Sequence, residues 1–236
     1  MDKKQMEEYL QMAEKRGIGP DGKFYFRCTA CGKCCTHRDD VLMSPDDIYR
    51  ASKHLGMRTV DFCKQFCTCH MGPDSLLPIM SPIMKGRIEK CVFLENKKCA
   101  IHAAKPSVCE LYPLGRLRKP EEGKVIYFMQ PMDCGKKDEA HTPREWLSTT
   151  GLERSESVSL LWAEAITEMT RRMRGMFLET CDERRLYVRD VLYRLILFRM
   201  YLNYDTDKEF VPQFKENLNA VREALGEAEE MLNAAK

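Results

Sequence analysis

The stretch Cys28-Thr-Ala-Cys31-Gly-Lys-Cys34-Cys35 places four thiols within a segment of eight residues. Ionised thiols at such short separations repel one another unless cations lie between them or they are oxidised in pairs. The C-x2-C spacing lets two sulfurs reach one metal from a single turn. Gly32 lets the backbone fold back, so that side chains three residues apart can converge. The stretch therefore predicts a metal site on a tight loop.

A second spaced set of cysteines follows downstream and supplies further candidate ligands. Cys91 and Cys99 are predicted to flank a hairpin, and Cys109 to lie on a short helix opened by Pro106. Cys134 is an eighth candidate. Eight thiols suffice for two four-ligand sites, or for one site with structural thiols around it. The complete set of candidate metal ligands is Cys28, Cys31, Cys34, Cys35, Cys91, Cys99, Cys109 and Cys134.

The adjacent pair Cys34-Cys35 favours an iron–sulfur centre over a single zinc ion. Side chains of adjacent residues point in different directions in most backbone conformations, so one tetrahedral zinc is expected to take only one of the two. A polynuclear centre such as 4Fe-4S, or two neighbouring sites, could divide the pair. The run also departs from the C-x2-C-x2-C-x3-C-P pattern of bacterial ferredoxins. Iron–sulfur is therefore the predicted cofactor, and zinc is the alternative.

Composition limits the function classes further. The formal net charge of +2 gives no electrostatic case for nucleic acid, and we expect no nucleic-acid partner. No N-terminal apolar segment resembles a signal peptide, and the apolar stretch 191–202 is broken by two arginines, so we expect no membrane span. The predicted compartment is the cytoplasm, where 12 cysteines indicate metal binding or catalysis more often than disulfides.

The uneven distribution of cysteines predicts two domains. All but Cys181 lie between Cys28 and Cys134. We predict a cysteine-rich metal domain with an N-terminal helix over 1–144, packed on an antiparallel helical bundle over 145–236. The fold class is mostly α with short strands (α+β). Strands are predicted over 24–27, 76–80 and 125–129.

Helix signals are clear in both parts of the chain. Ser44-Pro45-Asp46-Asp47 is typical of a helix start, and the repeat of apolar residues after 158 is helical. The predicted helices are a charged one within 1–22, one from 45 to about 55, one from 59 to 67 capped by Thr59, a short one over 107–111, and bundle helices over 158–177, 186–201 (capped by Asp182) and 210–232.

Other metal-ligand residue types have weaker signals. Cys63 and Cys67 stand four apart on one helical face, which packing alone can explain. The spacing Cys67-x-Cys69-His70 is an alternative zinc or copper site. His37 is predicted to be a solvated loop residue, with an outer-shell role as the alternative. His102 falls inside the second cysteine block, and Cys181 is predicted to be an isolated thiol.

The two blocks together resemble a known family. The residues that carry the resemblance are Cys28-x2-Cys31-x2-Cys34-Cys35, Cys91-x-Phe93-Leu94, Cys99-x-Ile101-His102 and Lys105-Pro106-x2-Cys109-x2-Tyr112-Pro113. They resemble the CxxCxxCC cysteine-cluster family, also called the YkgJ family or the zinc- or iron-chelating domain family. The chain departs from the usual pattern at His102 (Tyr), Lys105 (Arg) and Glu110 (Arg). The resemblance covers roughly Phe24 to Cys134.

The resemblance implies metal-cluster binding more firmly than it implies a reaction. We therefore predict a cytosolic metal-binding protein that serves redox chemistry, metal handling or the support of a protein partner. One branch of the family is similar to the flagellin lysine N-methylases, which implies an S-adenosylmethionine-dependent protein methyltransferase as one alternative. No glycine-rich nucleotide loop after a strand is present to indicate such a site independently. A zinc-stapled interaction module is the other alternative.

Overall fold

The computed structural model describes residues 3–38, 40–119, 124–131, 134–152, 156–178 and 182–234. The prediction for Cys181 lies outside these residues. The described helices are α1 (Lys3–Lys15), α2 (Pro45–His54), α3 (Thr59–Phe66), α4 (Ser107–Leu111), α5 (Pro143–Thr150), α6 (Glu156–Phe177), α7 (Glu183–Leu197) and α8 (Phe210–Asn233). Tight 3-10 turns span Lys33–Cys35 and His102–Ala104, and a wide π turn spans Phe198–Leu202.

The strands of the described residues form antiparallel pairs rather than one large sheet. The pairs are β1 (Phe24–Arg27) with β10 (Lys136–His141), β2 (Cys67–Met71) with β3 (Pro78–Pro82), β4 (Met84–Lys85) with β5 (Lys90–Cys91), β6 (Leu94–Glu95) with β7 (Lys98–Cys99), and β8 (Leu114–Lys119) with β9 (Lys124–Met129). Long helices combined with these short pairs confirm the mixed α+β prediction.

Helix starts agree with the predicted capping chemistry at two positions. The Ser44 side chain accepts a hydrogen bond from the backbone N–H of Asp47, whose carboxylate accepts one from the N–H of Ser44. Asp182 caps α7 by accepting a hydrogen bond from the backbone N–H of Arg185. These side chains satisfy backbone donors that have no partner inside the helix. The first turns of α2 and α7 are therefore fixed by local sequence.

Several predicted boundaries differ from the structure, including both ends of α7, which spans Glu183–Leu197 instead of 186–201. Thr59 is not the cap of α3 but its first residue, because its hydroxyl donates a hydrogen bond to the carbonyl of Leu202, 2.7 Å away. The strand predicted over 76–80 begins at Pro78, since Leu76 adopts a positive φ of 59° in the preceding turn. The N-terminal helix ends at Lys15, and Ile18 instead pairs with Tyr127 of β9.

Two apolar cores hold the molecule together. The larger one combines buried side chains of α2, α3 and β3 with those of α6, α7 and α8. The smaller one joins β1, α4, β8 and β9, and the side chain of Trp146 on α5 packs against it. Each core contains residues from before and after the predicted domain boundary at 144/145. The division into two domains stays a prediction. Among the described residues no helix is long and apolar enough to cross a membrane.

Candidate metal centre

All eight candidate cysteines line one cavity of about 560 Å³. The cavity lies between the two cores, because Phe26 and Trp146 of the smaller core and Phe93 of the larger one also line it. Its volume is in the range of small-molecule sites and far above the ~30 Å³ that one water takes up in the liquid. The two sequence blocks therefore meet in space, while the role of their thiols as ligands stays a prediction.

The first block reaches the cavity through a tight turn. Gly32 has a φ of 75° and precedes the 3-10 turn that carries Cys34 and Cys35. Glycine adopts this left-handed conformation at little cost, which other residues rarely do. The turn brings the sulfurs of Cys34 and Cys35 to 3.9 Å from each other. The expectation that adjacent side chains diverge was therefore wrong here, since both cysteines line the cavity with their sulfurs close together.

The second block is built on two very short hairpins. Cys91 ends β5, and Cys99 ends β7, where it lies opposite Leu94. The β6–β7 turn contains Asn96 and Lys97, both with positive φ, which suits a two-residue hairpin. Stacking of the Phe93 ring on Phe62 of α3, with centroids 5.8 Å apart, holds this block against the larger core. The predicted hairpin between Cys91 and Cys99 is confirmed.

A buried charge network fixes the helix that carries Cys109. The Asp47 carboxylate on α2 accepts hydrogen bonds from the backbone N–H and the hydroxyl of Ser107, at 2.8 and 2.7 Å. Arg50 donates to the same carboxylate oxygen at 2.7 Å. Pairing of this kind offsets the cost of burying the carboxylate. The start of α4 is thereby tied to α2, and the position of Cys109 follows from it.

Cys134 completes the cavity from a distant part of the chain. The following residue, Gly135, has a φ of 77°, and a Cβ placed there would lie 2.3 Å from Cε2 of Phe26. A larger residue would therefore clash with the smaller core. The Cys134 sulfur lies 3.1 Å from the hydroxyl of Tyr112, and its thiol also interacts with Cys31 of the first block. Through these contacts Cys134 connects the first and the second block at the cavity.

The cavity thiols with a lowered pKa belong to the first block. A hydrogen bond from the backbone N–H of Lys33 lowers the pKa of Cys31. A hydrogen bond from the Cys35 thiol, supported by the positive charges of Arg38 and Lys105, lowers the pKa of Cys34 to about 6. The same hydrogen bond, with burial second, raises the pKa of Cys35. Cys34 is therefore the thiol of this pair that ionises at neutral pH. A thiolate is the form that binds metal.

The thiols of the second block are more deeply enclosed. Burial raises the pKa of Cys91, of Cys99 and of Cys109, in the last case to about 12. These groups are neutral thiols at pH 7 until a cation replaces their protons. Binding of a metal by all of them would release protons, so its affinity is expected to fall as the pH is lowered.

Four candidates of the sequence lie outside the cavity. Cys63 of α3 is buried in the larger core and Cys67, the first residue of β2, packs against that core, while Cys69 and His70 are exposed on β2. The Cys69 sulfur lies 3.3 Å from the hydroxyl of Tyr193 on α7. All eleven cysteines that the structure describes are free thiols.

The histidines near the blocks differ in position. His37 is exposed, with its Nδ1 3.3 Å from a carboxylate oxygen of Glu89, and it does not line the cavity. His102 does line it. In the described part of the chain, no three side chains of His, Cys, Asp or Glu are placed to hold a single metal ion.

Sequence reasoning gave no role at the cavity to Arg38, or to Tyr112, which it had quoted only as part of the second-block motif. Arg38 lies over the ring of Tyr112, with its guanidinium carbon 5.5 Å from the ring centroid, and both line the cavity. Arg38 follows Cys35 by three residues and Tyr112 follows Cys109 by three. That shared spacing was the available signal, although it does not by itself reveal the contact between them.

Comparison with known proteins agrees with this geometry. Residues 27–141 match the family model CxxCxxCC, described as "Putative zinc- or iron-chelating domain". This segment belongs to the CxxCxxCC family. The CxxCxxCC domain contains all eight cavity thiols and ends before α5, and its description supports metal binding. No curated protein and no solved structure matches the chain.

Proposed function

We propose that this chain is a cytoplasmic protein whose CxxCxxCC domain holds an iron–sulfur cluster of the 4Fe-4S type. The cluster would supply one-electron chemistry or structural support to a protein partner. One observation carries the proposal: eight thiols from both sequence blocks line a single cavity of ligand size. A centre with several metal atoms needs such a cavity, whereas one zinc ion needs four donors around a point.

The separation of the thiols argues in the same direction. Sulfurs that share one tetrahedral zinc lie about 3.8 Å apart, given the ~2.3 Å zinc–sulfur bond. Cys34 and Cys35 meet this requirement, but no third donor among the described residues joins them around one ion. The metal atoms of a cluster occupy separate corners, so each can bind a thiolate from a different side of the cavity. The cavity therefore fits a polynuclear centre better than a lone ion.

Positive side chains suit the charge of such a centre. Each thiolate adds a negative charge, and Arg38 and Lys105 line the same cavity as Cys34. Their charges stabilise the ionised sulfurs at short range. The residues proposed to supply ligands are Cys28, Cys31, Cys34, Cys35, Cys91, Cys99, Cys109 and Cys134.

Anaerobic purification followed by iron, zinc and acid-labile sulfide analysis tests the proposal. We expect iron and sulfide in equal amounts, and a brown protein whose visible absorption bleaches with dithionite. A colourless protein with stoichiometric zinc and no sulfide would show that the centre is not iron–sulfur. Chemical analysis of the protein as it leaves the cell avoids artefacts of reconstitution.

A further inference from the structure

A second group of sulfurs lies in the larger core, apart from the cavity. The Cys67 sulfur is 3.9 Å from the thioether sulfur of Met43, and Cys63 precedes Cys67 by one helical turn. None of the three residues lines the cavity of the CxxCxxCC centre. Two thiols and one thioether therefore meet at a place to which the proposed function assigns nothing.

Regular backbone holds these three sulfurs in position. Cys63 lies in the last turns of α3, and Cys67, the extended residue that follows the helix, donates its backbone N–H to the carbonyl of Cys63. The backbone N–H of Met43 donates to the carbonyl of Met80 in β3 at 2.8 Å, directly before α2 begins. The sulfur group is thus preorganised by two helices and a strand.

The surroundings of the group are apolar. Met43 is 2% exposed and Cys63 is 6% exposed, whereas Cys67 is only partly buried and leaves a route from solvent. Phe62 of α3 is buried in this core, and Phe66 of the same helix packs against it. A site of this kind disfavours strongly hydrated cations, which bind oxygen ligands.

The donor set selects a soft metal. Thiolate and thioether ligands together favour Cu(I), whereas structural zinc takes four nitrogen or sulfur donors. With metal–sulfur bonds of ~2.3 Å, three sulfurs around a trigonal ion lie about 4 Å apart. The 3.9 Å between Cys67 and Met43 matches that spacing. That distance fits two of the three sulfurs of such a site, and Cys63 offers the third from the last turn of α3.

We propose that Met43, Cys63 and Cys67 form a separate site for one Cu(I) ion. Binding replaces the two thiol protons, which pass to solvent, and the thioether sulfur donates a lone pair without proton loss. Copper enters and stays as Cu(I), so no electron is transferred. The site depends on the larger core and not on which metal fills the cavity.

Copper titration of the anaerobically purified protein, with its native metal in place, tests the proposal. Cu(I) is supplied through a chromophoric Cu(I) chelator, and copper, iron and zinc are counted before and after. We expect one Cu(I) per chain, three sulfur neighbours by X-ray absorption, and unchanged iron and zinc. Counting the metals separately distinguishes failure of the copper site from failure of the iron–sulfur proposal.

Substitutions locate the copper. Met43→Leu keeps the side-chain volume nearly constant and should weaken copper binding tenfold or more, leaving two sulfur neighbours. Loss of a residue that only contacts a metal ligand already lowers affinity ten- to a hundredfold, so loss of a ligand should cost at least as much. Cys67→Ala should abolish stoichiometric binding. Met169→Leu, the same change at a buried methionine of α6, should bind as the wild type does.

Three results would overturn the copper site. The first is a wild type that binds no stoichiometric Cu(I). The second is copper that enters only by displacing iron or zinc from the cavity. The third is wild-type affinity in both Met43→Leu and Cys67→Ala, which would place the copper elsewhere. Circular dichroism of each variant verifies that it is folded.

Discussion

The walls of the cysteine cavity and the C-terminal bundle are built in opposite ways. The cavity is bounded by strands of two residues each, such as Met84–Lys85 with Lys90–Cys91, and by a three-residue turn. The helices α6 and α8 have 22 and 24 residues and bury apolar side chains along one face. Isolated hairpins are marginal in water, whereas packed long helices are stable. We therefore expect metal binding to contribute more to the stability of the first region, and apolar burial more to that of the second.

Removal of the metal should have the largest effect, and the two regions should respond to it differently. Structural metal sites contribute on the order of 10 kcal/mol to folding, so chelation is expected to loosen the cavity walls and leave the bundle helical. The chain has two tryptophans, of which Trp146 lines the cavity and Trp162 packs against Tyr201 and Phe214 in the bundle. The fluorescence of each can be followed alone in Trp162→Phe and Trp146→Phe proteins.

After chelation, the emission of Trp146 should shift to the red as its surroundings open to solvent, and that of Trp162 should stay nearly constant. Far-ultraviolet circular dichroism should retain most of the helical signal. Parallel shifts of both tryptophans would contradict the comparison, because they would mean that the bundle also depends on the metal. Re-addition of the metal under reducing conditions should restore the Trp146 signal.

Loss of a single thiol should have the next largest effect. Cys31→Ser, Cys34→Ser and Cys109→Ser are each expected to reduce bound metal to less than half and to weaken the cavity region, because a hydroxyl is a poor ligand for soft metals. Elemental analysis of purified protein measures the change. The matched control is Cys69→Ser, an exposed cysteine outside the cavity whose metal content should equal that of the wild type.

Full metal content in all three cavity variants would mean that the ligands lie elsewhere. Equal losses in the Cys69→Ser protein would point to a general effect of thiol replacement and not to the cavity.

A core substitution in the bundle should have the smallest effect and the opposite pattern. Leu225 on α8 is fully buried, so Leu225→Ala is expected to lower the free energy of unfolding by about 2–5 kcal/mol. Metal content should not change, since the cavity walls do not include α8. Urea denaturation monitored by Trp162 fluorescence, together with metal analysis, measures both. Metal loss in this variant would show that the two regions are energetically coupled.

Local chemistry made several elements of the cavity predictable. The capping box at Ser44, the short helix over 107–111 and the hairpin between Cys91 and Cys99 each depend on residues close in sequence. The side-chain role of Thr59 was not predictable, because its hydroxyl is used by Leu202, which lies 143 residues away. The Cys34–Cys35 geometry was missed for a different reason. A 3-10 turn of three residues leaves no periodic pattern in the sequence.

The sequence by itself determined the thiol chemistry, the two-block spacing and the helical character of the C-terminal half, because these follow from residue type and local periodicity. Only the tertiary structure decided that Cys134 meets Cys31 at one cavity, and that Arg38 and Tyr112 line it with them. It also placed Met43 against Cys67, 24 residues away, with their sulfurs in contact. Contacts between distant segments depend on how the two cores pack, and no local pattern of residues encodes that packing.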